Sequence, residues 1–279
     1  MAGRSRDPMP GVYPTGLGRA ELLADANRDG GWLLNVDGMA QSYVDLNDPT
    51  YLDFEYMQLL AVVADSLAAE TLDAVHVGGC ACTLARYVAA TRPGSRQLVL
   101  EPDAELLQVV RDQLALKSVP RLKVRVTDGL SGMAAVPDAA DDLVVLDAYA
   151  GGQMPAELAT VEFAEEAARV LRPGGAYLVN VSDGGRLTFT RRMIATVRAA
   201  FPHALLLAEP GILRGRRFGN LVLAASPSPL DHATIARRAA TVPAQARCVH
   251  GLDLDHFRAG APPLRHGDEI PLPEPPTRA

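Results

Sequence analysis

Three cysteines in 279 residues are too few for a disulfide framework, and Cys80 with Cys82 inside a glycine turn suits reduced thiols in a reducing compartment. No second ligand pair stands at zinc spacing from Cys-x-Cys, so no metal is expected. No window approaches the ~18 uncharged apolar residues of a membrane helix. The first residues, MAGRSRDPMPG, carry no apolar signal core. These absences predict a cytoplasmic protein with no membrane partner. Basic charge is also scarce. With 27 Lys and Arg against 33 Asp and Glu, a net charge of −6 argues against sequence-independent nucleic-acid binding, which needs a dense Lys/Arg face to replace phosphate counterions. ILRGRRFGN, with Arg214, Arg216 and Arg217, is the one obvious basic stretch, and its glycines predict a solvated turn between strands. Of six histidines, His76 falls inside an apolar run and reads as a satisfied core residue. The other five are scattered, and no Ser-His-Asp or Cys-His constellation can be built from them.

What is present is an α/β rhythm. With 48% hydrophobic and 22% charged residues, the chain can bury a full core as one large domain plus a small appendage. Residues 1–19, with several prolines and glycines, are expected to form a flexible leader. Three strand-like runs, AELLAD, GWLLNV and AQSYVDL, follow with the turn pairs Asp29-Gly30 and Asp37-Gly38 between them. They predict a small antiparallel β domain over 20–50. Asp48-Pro49 suggests a helix start, and Leu52, Tyr56, Leu59, Leu60, Val63 and Leu67 recur at helical spacing through to residue 69. A main domain over 51–241 then alternates strands, expected at 74–77, 97–100, 122–127, 142–146, 176–181, 204–208 and 220–225, with helices expected at 83–90, 104–114, 160–171, 186–201 and 232–240. Such alternation builds a doubly wound, mostly parallel sheet covered on both faces. The loop EPGILRGRRFG permits an antiparallel final strand pair at the sheet edge. Residues 242–279 form a proline-rich C-terminal tail, expected to be extended or disordered from Pro262 onward.

The segment AVHVGGCACTLARYVAATRPGSRQLVLEPD is the first βαβ unit of such a sheet. Gly78 and Gly79 let backbone approach a ligand at the strand end, and Glu101, about twenty residues on, can accept both hydroxyls of a ribose. The turn does not match G-x-G-x-x-G, and a buried turn that merely needs small residues would look similar. In doubly wound sheets ligands lie beyond the carboxyl ends of the strands. Glu101, Asp128-Gly129, Asp147 and Ser182-Asp183 stand there, a costly place for charge unless it meets donors. Asp128 can accept from an adenine amino group or can cap the following helix. Nothing resembles a phosphate cradle with a nearby Lys or Arg, since Arg86 lies within the following helix. The acid-rich rim favours a cationic ligand, and a sulfonium such as S-adenosylmethionine fits it better than a pyrophosphate.

From about Gly30 to Ala225 the chain resembles the spermidine synthase family of aminopropyltransferases. The similarity is carried by DGMAQS, VGGCACTL, LEPD, the TDG triplet, VVLDAY and MPAELATVEFAEEAARVLRPGGAY, in order and at consistent spacing. The resemblance implies a Rossmann-like fold of the class I methyltransferase type with a small N-terminal β domain. It implies a homodimer and an adenosyl-sulfonium donor, either S-adenosylmethionine or its decarboxylated form, leaving S-adenosylhomocysteine or methylthioadenosine. The acceptor would be a small molecule. It further implies that Gln41 and Glu101 hold the ribose, that Asp128 meets the adenine amino group, and that Asp147 is the catalytic acid that takes a proton from the attacking amine. Two departures stand out. The family's G-G-G-D-G-G turn is Gly-Gly-Cys-Ala-Cys here, with Ala81 in place of its aspartate. Its D-[ST]-x-D-P segment is Asp147-Ala148-Tyr149-Ala150-Gly151. A diamine needs counter-charge at its distal ammonium, so Glu55, Asp183 or Glu157 would have to supply it. Tyr149, Asp183 and Glu55 are the candidate acceptor-binding residues. Methyl transfer, or adenosyl binding without catalysis, are the other readings.

Overall fold

The computed structural model describes residues 7–16, 18–270 and 272–273. Four antiparallel strands come first: β1 (Gly11–Thr15), β2 (Gly18–Ala24), β3 (Gly31–Val36) and β4 (Met39–Asp45), in that spatial order. The stretch expected as a leader over 1–19 therefore holds β1 and the start of β2. Its short, proline-bearing sequence GVYPT hides a strand that pairs on one side only, the edge position where proline is tolerated. Between β3 and β4 the pair Asp37-Gly38 takes positive φ at both residues, 50° and 77°, the conformation that matches a tight hairpin to strand twist.

The helix that follows is shorter than its periodicity suggests. α1 spans Glu55–Ala64. Asp48-Pro49 forms a turn instead, in which the Asp48 carboxylate accepts from the Thr50 amide at 3.1 Å and from its hydroxyl at 2.5 Å. The remaining elements alternate as α2 (Thr83–Thr91), α3 (Ala104–Gln113), α4 (Gly129–Ala134), α5 (Val161–Val170), α6 (Thr188–Ala200), α7 (Pro210–Leu213), α8 (His232–Ala239) and α9 (Gly251–Arg258), with strands β5 (Ala74–Gly78), β6 (Gln97–Glu101), β7 (Leu122–Val126), β8 (Asp141–Asp147), β9 (Leu171–Asp183), β10 (His203–Ala208), β11 (Gly219–Ser226) and β12 (Arg247–His250). The strands form one sheet in the order β12-β10-β11-β9-β8-β5-β6-β7. β5 to β9 are mutually parallel, β11 runs antiparallel to β9 and β10, and β12 completes the edge antiparallel to β10.

Two regions expected to be irregular contain structure. The Pro210–Leu213 turn of helix is capped by Glu209, whose side chain accepts from the Ile212 amide. The tail supplies β12 and α9, and the Leu264 backbone donates to Thr196 Oγ1 at 2.8 Å and accepts from the Val161 amide at 2.8 Å. Leu254 and Leu264 are wholly buried. A four-residue strand and a helix with weak amphipathic pattern leave little periodic signal.

Apolar runs at β5 and β8 are buried on both faces because helices cover both sides of the sheet. A third apolar cluster joins Ala20, Leu22, Leu34 and Val44 of the small sheet to Val99 of β6 and to Leu107 and Val110 of α3. His76 lies inside this packing with its Nε2 2.7 Å from Gln97 Oε1, while Gln97 Nε2 donates to the Leu72 carbonyl at 2.8 Å. Burial pushes its imidazole down to about 4, so the ring is a neutral core residue at physiological pH.

The end of β5 bends sharply. Gly78, Gly79, Cys80 and Cys82 all have positive φ, at 78°, 112°, 43° and 62°. A Cβ on Gly78 would lie 2.5 Å from the Asp147 carbonyl oxygen and 2.7 Å from Ala148 Cα, whereas one on Gly79 would meet nothing within 4 Å. Both positions carry the backbone strain of a left-handed residue, but only Gly78 is pressed against another strand. Gly78→Ala should therefore destabilise the fold by about 1 to 3 kcal/mol more than Gly79→Ala. Equal losses in chemical denaturation would mean that the β5 and β8 ends are not held in contact.

Candidate functional site

Register places the candidate residues in one row. Gly78 pairs with Asp147 across β5 and β8, Val77 pairs with Leu100 across β5 and β6, and Leu146 pairs with Val179 across β8 and β9. Continuing each ladder by one residue sets Glu101, Gly78, Asp147 and Asn180 side by side on four adjacent strands. With strands about 4.8 Å apart, the backbones of Glu101 and Asp147 are separated by roughly 10 Å. The order reverses between β5 and β8, which is the topological switch point where such sheets leave a crevice.

A cavity of about 260 Å³ occupies that crevice. Its floor comprises Gly78, Gly79, Cys80, Glu101, Asp147 and Asn180, and its roof is the β3–β4 hairpin, from which Val36, Asp37, Met39, Ala40 and Gln41 reach over the strand ends. The hairpin is held there by two contacts to the glycine turn and α2. Thr83 Oγ1 donates to the Tyr43 carbonyl at 3.0 Å, and the Ala81 amide donates to Ser42 Oγ at 3.3 Å. Arg86 braces the same turn from below. It is buried and donates to the carbonyls of Ala81 at 2.9 Å and Leu114 at 2.7 Å. Among the described residues lining the cavity are the acids Asp37, Glu101, Asp103 and Asp147, and no lysine, arginine or histidine. Burial favours the protonated form of the neighbouring thiols: it raises Cys80 and pushes Cys82 up to about 12.

The two carboxylates in the row are differently held. Glu101 is 7% exposed and accepts from the Asp103 amide at 3.1 Å. Burial outweighs that bond and pushes it up to about 7. Asp147 accepts from Asn180 Nδ2 at 2.8 Å and from the Tyr56 hydroxyl at 3.3 Å, and burial raises its carboxyl above the usual range. The amide orientation that serves Asp147 leaves Asn180 Oδ1 buried without a donor. Such an orphan acceptor is rare in a folded protein and marks a place where a ligand or water donates.

Of the residues singled out in the sequence, Gln41, Gly78, Gly79, Glu101, Asp147 and Tyr149 line the cavity. The Tyr149 hydroxyl is already committed, donating to the Asn180 carbonyl at 2.8 Å and accepting from the Ser182 amide at 2.8 Å. Four others lie elsewhere. Asp128 caps α4 through the Ser131 amide at 2.8 Å, and Gly129 is packed where a Cβ would lie 2.7 Å from Val77 and 2.9 Å from Leu158. The buried Asp183 carboxylate accepts from the Thr190 amide and hydroxyl, both at 2.8 Å, at the start of α6. Glu55 is half exposed and stands 3.6 Å from Arg217, in an adjoining cavity that shares Ala40, Tyr56 and Asn220 with the main one. Tyr56 and Asn180 were not foreseen. Tyr56 was assigned to the apolar stripe of α1, and Asn180 lay inside an apolar strand whose one polar residue was the available signal. Among the described residues, no group of three His, Cys, Asp or Glu is placed to hold a metal ion, and no helix is long and apolar enough to cross a membrane.

No protein-family model matches the chain. Among solved structures it is similar to a probable spermidine synthase from Corynebacterium glutamicum, with 33% identity and a TM-score of 0.88 over 94% of this chain and 98% of that one. A spermidine synthase from Thermotoga maritima matches at 17% identity and a TM-score of 0.61, over 81% of this chain and 77% of that one. Human methyltransferase-like protein 13 in complex with SAH matches at 19% identity and a TM-score of 0.55, over 78% and 97%. The last two show likeness of fold.

Glu101 gives the site a stability signature. Its folded value lies above the ordinary 4.5, so above pH 7 the native state bears the cost of an ionised, desolvated carboxylate that the unfolded chain does not. Glu101→Gln should accordingly raise the melting temperature of the ligand-free protein at about pH 8, and by less at about pH 5. A lower melting temperature at both values would show that the carboxylate is a structural anchor.

Proposed function

The chain belongs to the spermidine synthase family, and from that premise we propose that it is a transferase using an adenosyl-sulfonium donor, decarboxylated S-adenosylmethionine in preference to the intact cofactor, to alkylate a small amine. The observation that carries this is the row Glu101–Gly78–Asp147–Asn180 across the switch point, two buried carboxylates and an orphan acceptor around one cavity. Glu101 is placed to accept ribose hydroxyls, and Gly79 leaves open space beside it. The acidic lining suits a sulfonium. It offers no cationic side chain to the carboxylate of intact S-adenosylmethionine, which favours the decarboxylated donor. Ala81 does not weaken this fit, because it is 1% exposed and faces the small sheet rather than the cavity.

The donor supplies an electrophilic carbon whose bond to S⁺ breaks as the amine nitrogen attacks, the sulfur keeping the bonding pair and becoming a thioether. The protein's part is alignment and one proton. An amine arrives as an ammonium and must lose a proton before it can attack. Asp147 can accept that proton, and its raised carboxyl makes it a better base than an exposed aspartate. Asn180 and Tyr56 hold the two Asp147 oxygens in place. The Tyr149 bridge to β9 fixes the loop after Asp147, where Ala150 and Gly151 line the cavity.

Asp147→Asn keeps shape but removes basicity. It should lower methylthioadenosine release from the decarboxylated donor, measured with a panel of amines, by about 10² to 10⁴, while methylthioadenosine still stabilises the variant against heat. In the wild type, turnover should fall as pH drops through the Asp147 carboxyl, because the protonated acid cannot accept. Unchanged turnover in Asp147→Asn would remove this residue from the chemistry.

A further inference from the structure

A second cavity, of about 440 Å³, opens beyond the carboxyl end of β9, and its charge is opposite to that of the first. Arg186, Arg191 and Arg214 line it, together with Gly185, Thr188 and Gly215. Eight other arginines, Arg28, Arg96, Arg169, Arg172, Arg192, Arg198, Arg217 and Arg265, each stand within ion-pair distance of a carboxylate, while Arg86 and Arg92 donate to backbone carbonyls. Among the described residues, none of the three in this cavity has a carboxylate partner. Arg191 is fixed in place, its Nε donating to the Arg186 carbonyl at 3.2 Å, its Nη1 donating to the Phe257 carbonyl and its guanidinium lying 4.8 Å from the Phe257 ring centroid, which leaves Nη2 for a ligand. Arg186 and Arg214 are exposed. The thirteen-residue helix α6 begins at this cavity, and its N-cap residue Leu187 supplies no side-chain acceptor. The buried Asp183 carboxylate already accepts from the Thr190 amide in the first turn of this helix, so the positive charge of the cavity is that of the guanidiniums.

The cavity is a neighbour of the catalytic one. Gly185 follows Ser182, a residue of the catalytic cavity, by three positions, so their Cα atoms are at most about 11 Å apart. Gly215, on the opposite wall, is pressed against the Gly185 carbonyl oxygen, and the chain re-enters the sheet at Gly219 and Asn220, in register with Asp183 and Ser182. Both cavities thus sit where the carboxyl end of β9 meets the amino end of β11. The other extension of the catalytic cavity, past Tyr56 and Asn220, contains Asp53, Glu55 and Glu209. Arg217 spans the latter two at 3.6 Å and 3.0 Å, so that route is not a set of free counter-charges for a second ammonium.

We propose that the arginine cavity is the distal subsite of the acceptor, and that the acceptor is an amine whose far end carries an anionic group, a carboxylate or a phosphate. Asp147 receives the amine, and Arg186, Arg191 and Arg214 receive the anion. Planar guanidiniums suit the oxygens of either anion. This inference rests on the transferase reading above.

The test is calorimetry on protein saturated with methylthioadenosine, titrated with putrescine, 4-aminobutyrate, 6-aminohexanoate and 3-aminopropyl phosphate. At least one anionic amine should bind about tenfold or more tighter than putrescine. The double variant Arg186→Ala/Arg214→Ala, whose side chains are exposed, should lose about tenfold in affinity for that amine and keep its affinity for methylthioadenosine. The stronger of the carboxylate and phosphate arms identifies the anion. Putrescine binding as tightly as every anionic amine, or a double variant with unchanged affinities, would overturn the subsite while leaving the donor reading intact. Failure of methylthioadenosine itself to bind would instead overturn the transferase reading, and the subsite with it.

Discussion

Desolvation of two carboxylates at one end of a parallel sheet is the constraint on which this molecule turns. Ions removed from water cost several kcal/mol each unless they meet donors. Here Glu101 meets the backbone amides of Asp103 and Cys80 and is still pushed up to about 7 by burial, and Asp147 meets an amide and a phenol. Neither has a cationic side chain opposite it among the described lining residues. A fold selected for stability alone would not leave these groups half satisfied. In the proposed function the ligand supplies the missing donors, hydroxyls for Glu101 and a protonated nitrogen for Asp147.

The rest of the architecture serves to hold that row and to roof it. Gly78 has no side chain because β5 and β8 come together there, and that contact sets Asp147 beside the glycine turn. Arg86 spends its charge on two backbone carbonyls beneath the same turn, a buried arrangement that fixes where the turn can sit. The small N-terminal sheet shares its apolar core with α2, α3 and β6, so the hairpin carrying Gln41 is positioned by packing as well as by hydrogen bonds. Charge is partitioned along the sheet end, acidic at the switch point and basic beyond β9. That separation is a property of three-dimensional placement, since the net charge of −6 conceals it.

The main sheet was legible because its strands are uninterrupted apolar runs and its helices are amphipathic, two patterns that do not overlap. β1, β12 and α9 escaped notice for the same reason: strands of five and four residues, one with a proline, and a helix with a single buried leucine carry almost no periodicity. In the site, Glu101 and Asp147 were visible because acids at strand ends are out of place unless used. Asp128 looked equivalent, and its Oδ1 caps the first turn of α4; a capping acid and a ligand-binding acid look the same in sequence. Tyr56 and Asn180 join the cavity from elements distant in sequence, through strand register and helix packing that no local pattern records. Arg214 looked like turn decoration. It faces Arg186 across two loops nearly thirty residues apart, and only the fold brings them to one cavity.

The most direct measurement is proton-linked calorimetry of methylthioadenosine binding, in buffers of different ionisation enthalpy. If Glu101 is held uncharged in the empty protein and takes ribose hydroxyls as a carboxylate, binding at about pH 6 must release close to one proton, the release must fade by about pH 8, and Glu101→Gln must abolish it. Binding with no proton exchange at either pH and with equal affinity in Glu101→Gln would contradict the assignment of this row as an adenosyl site.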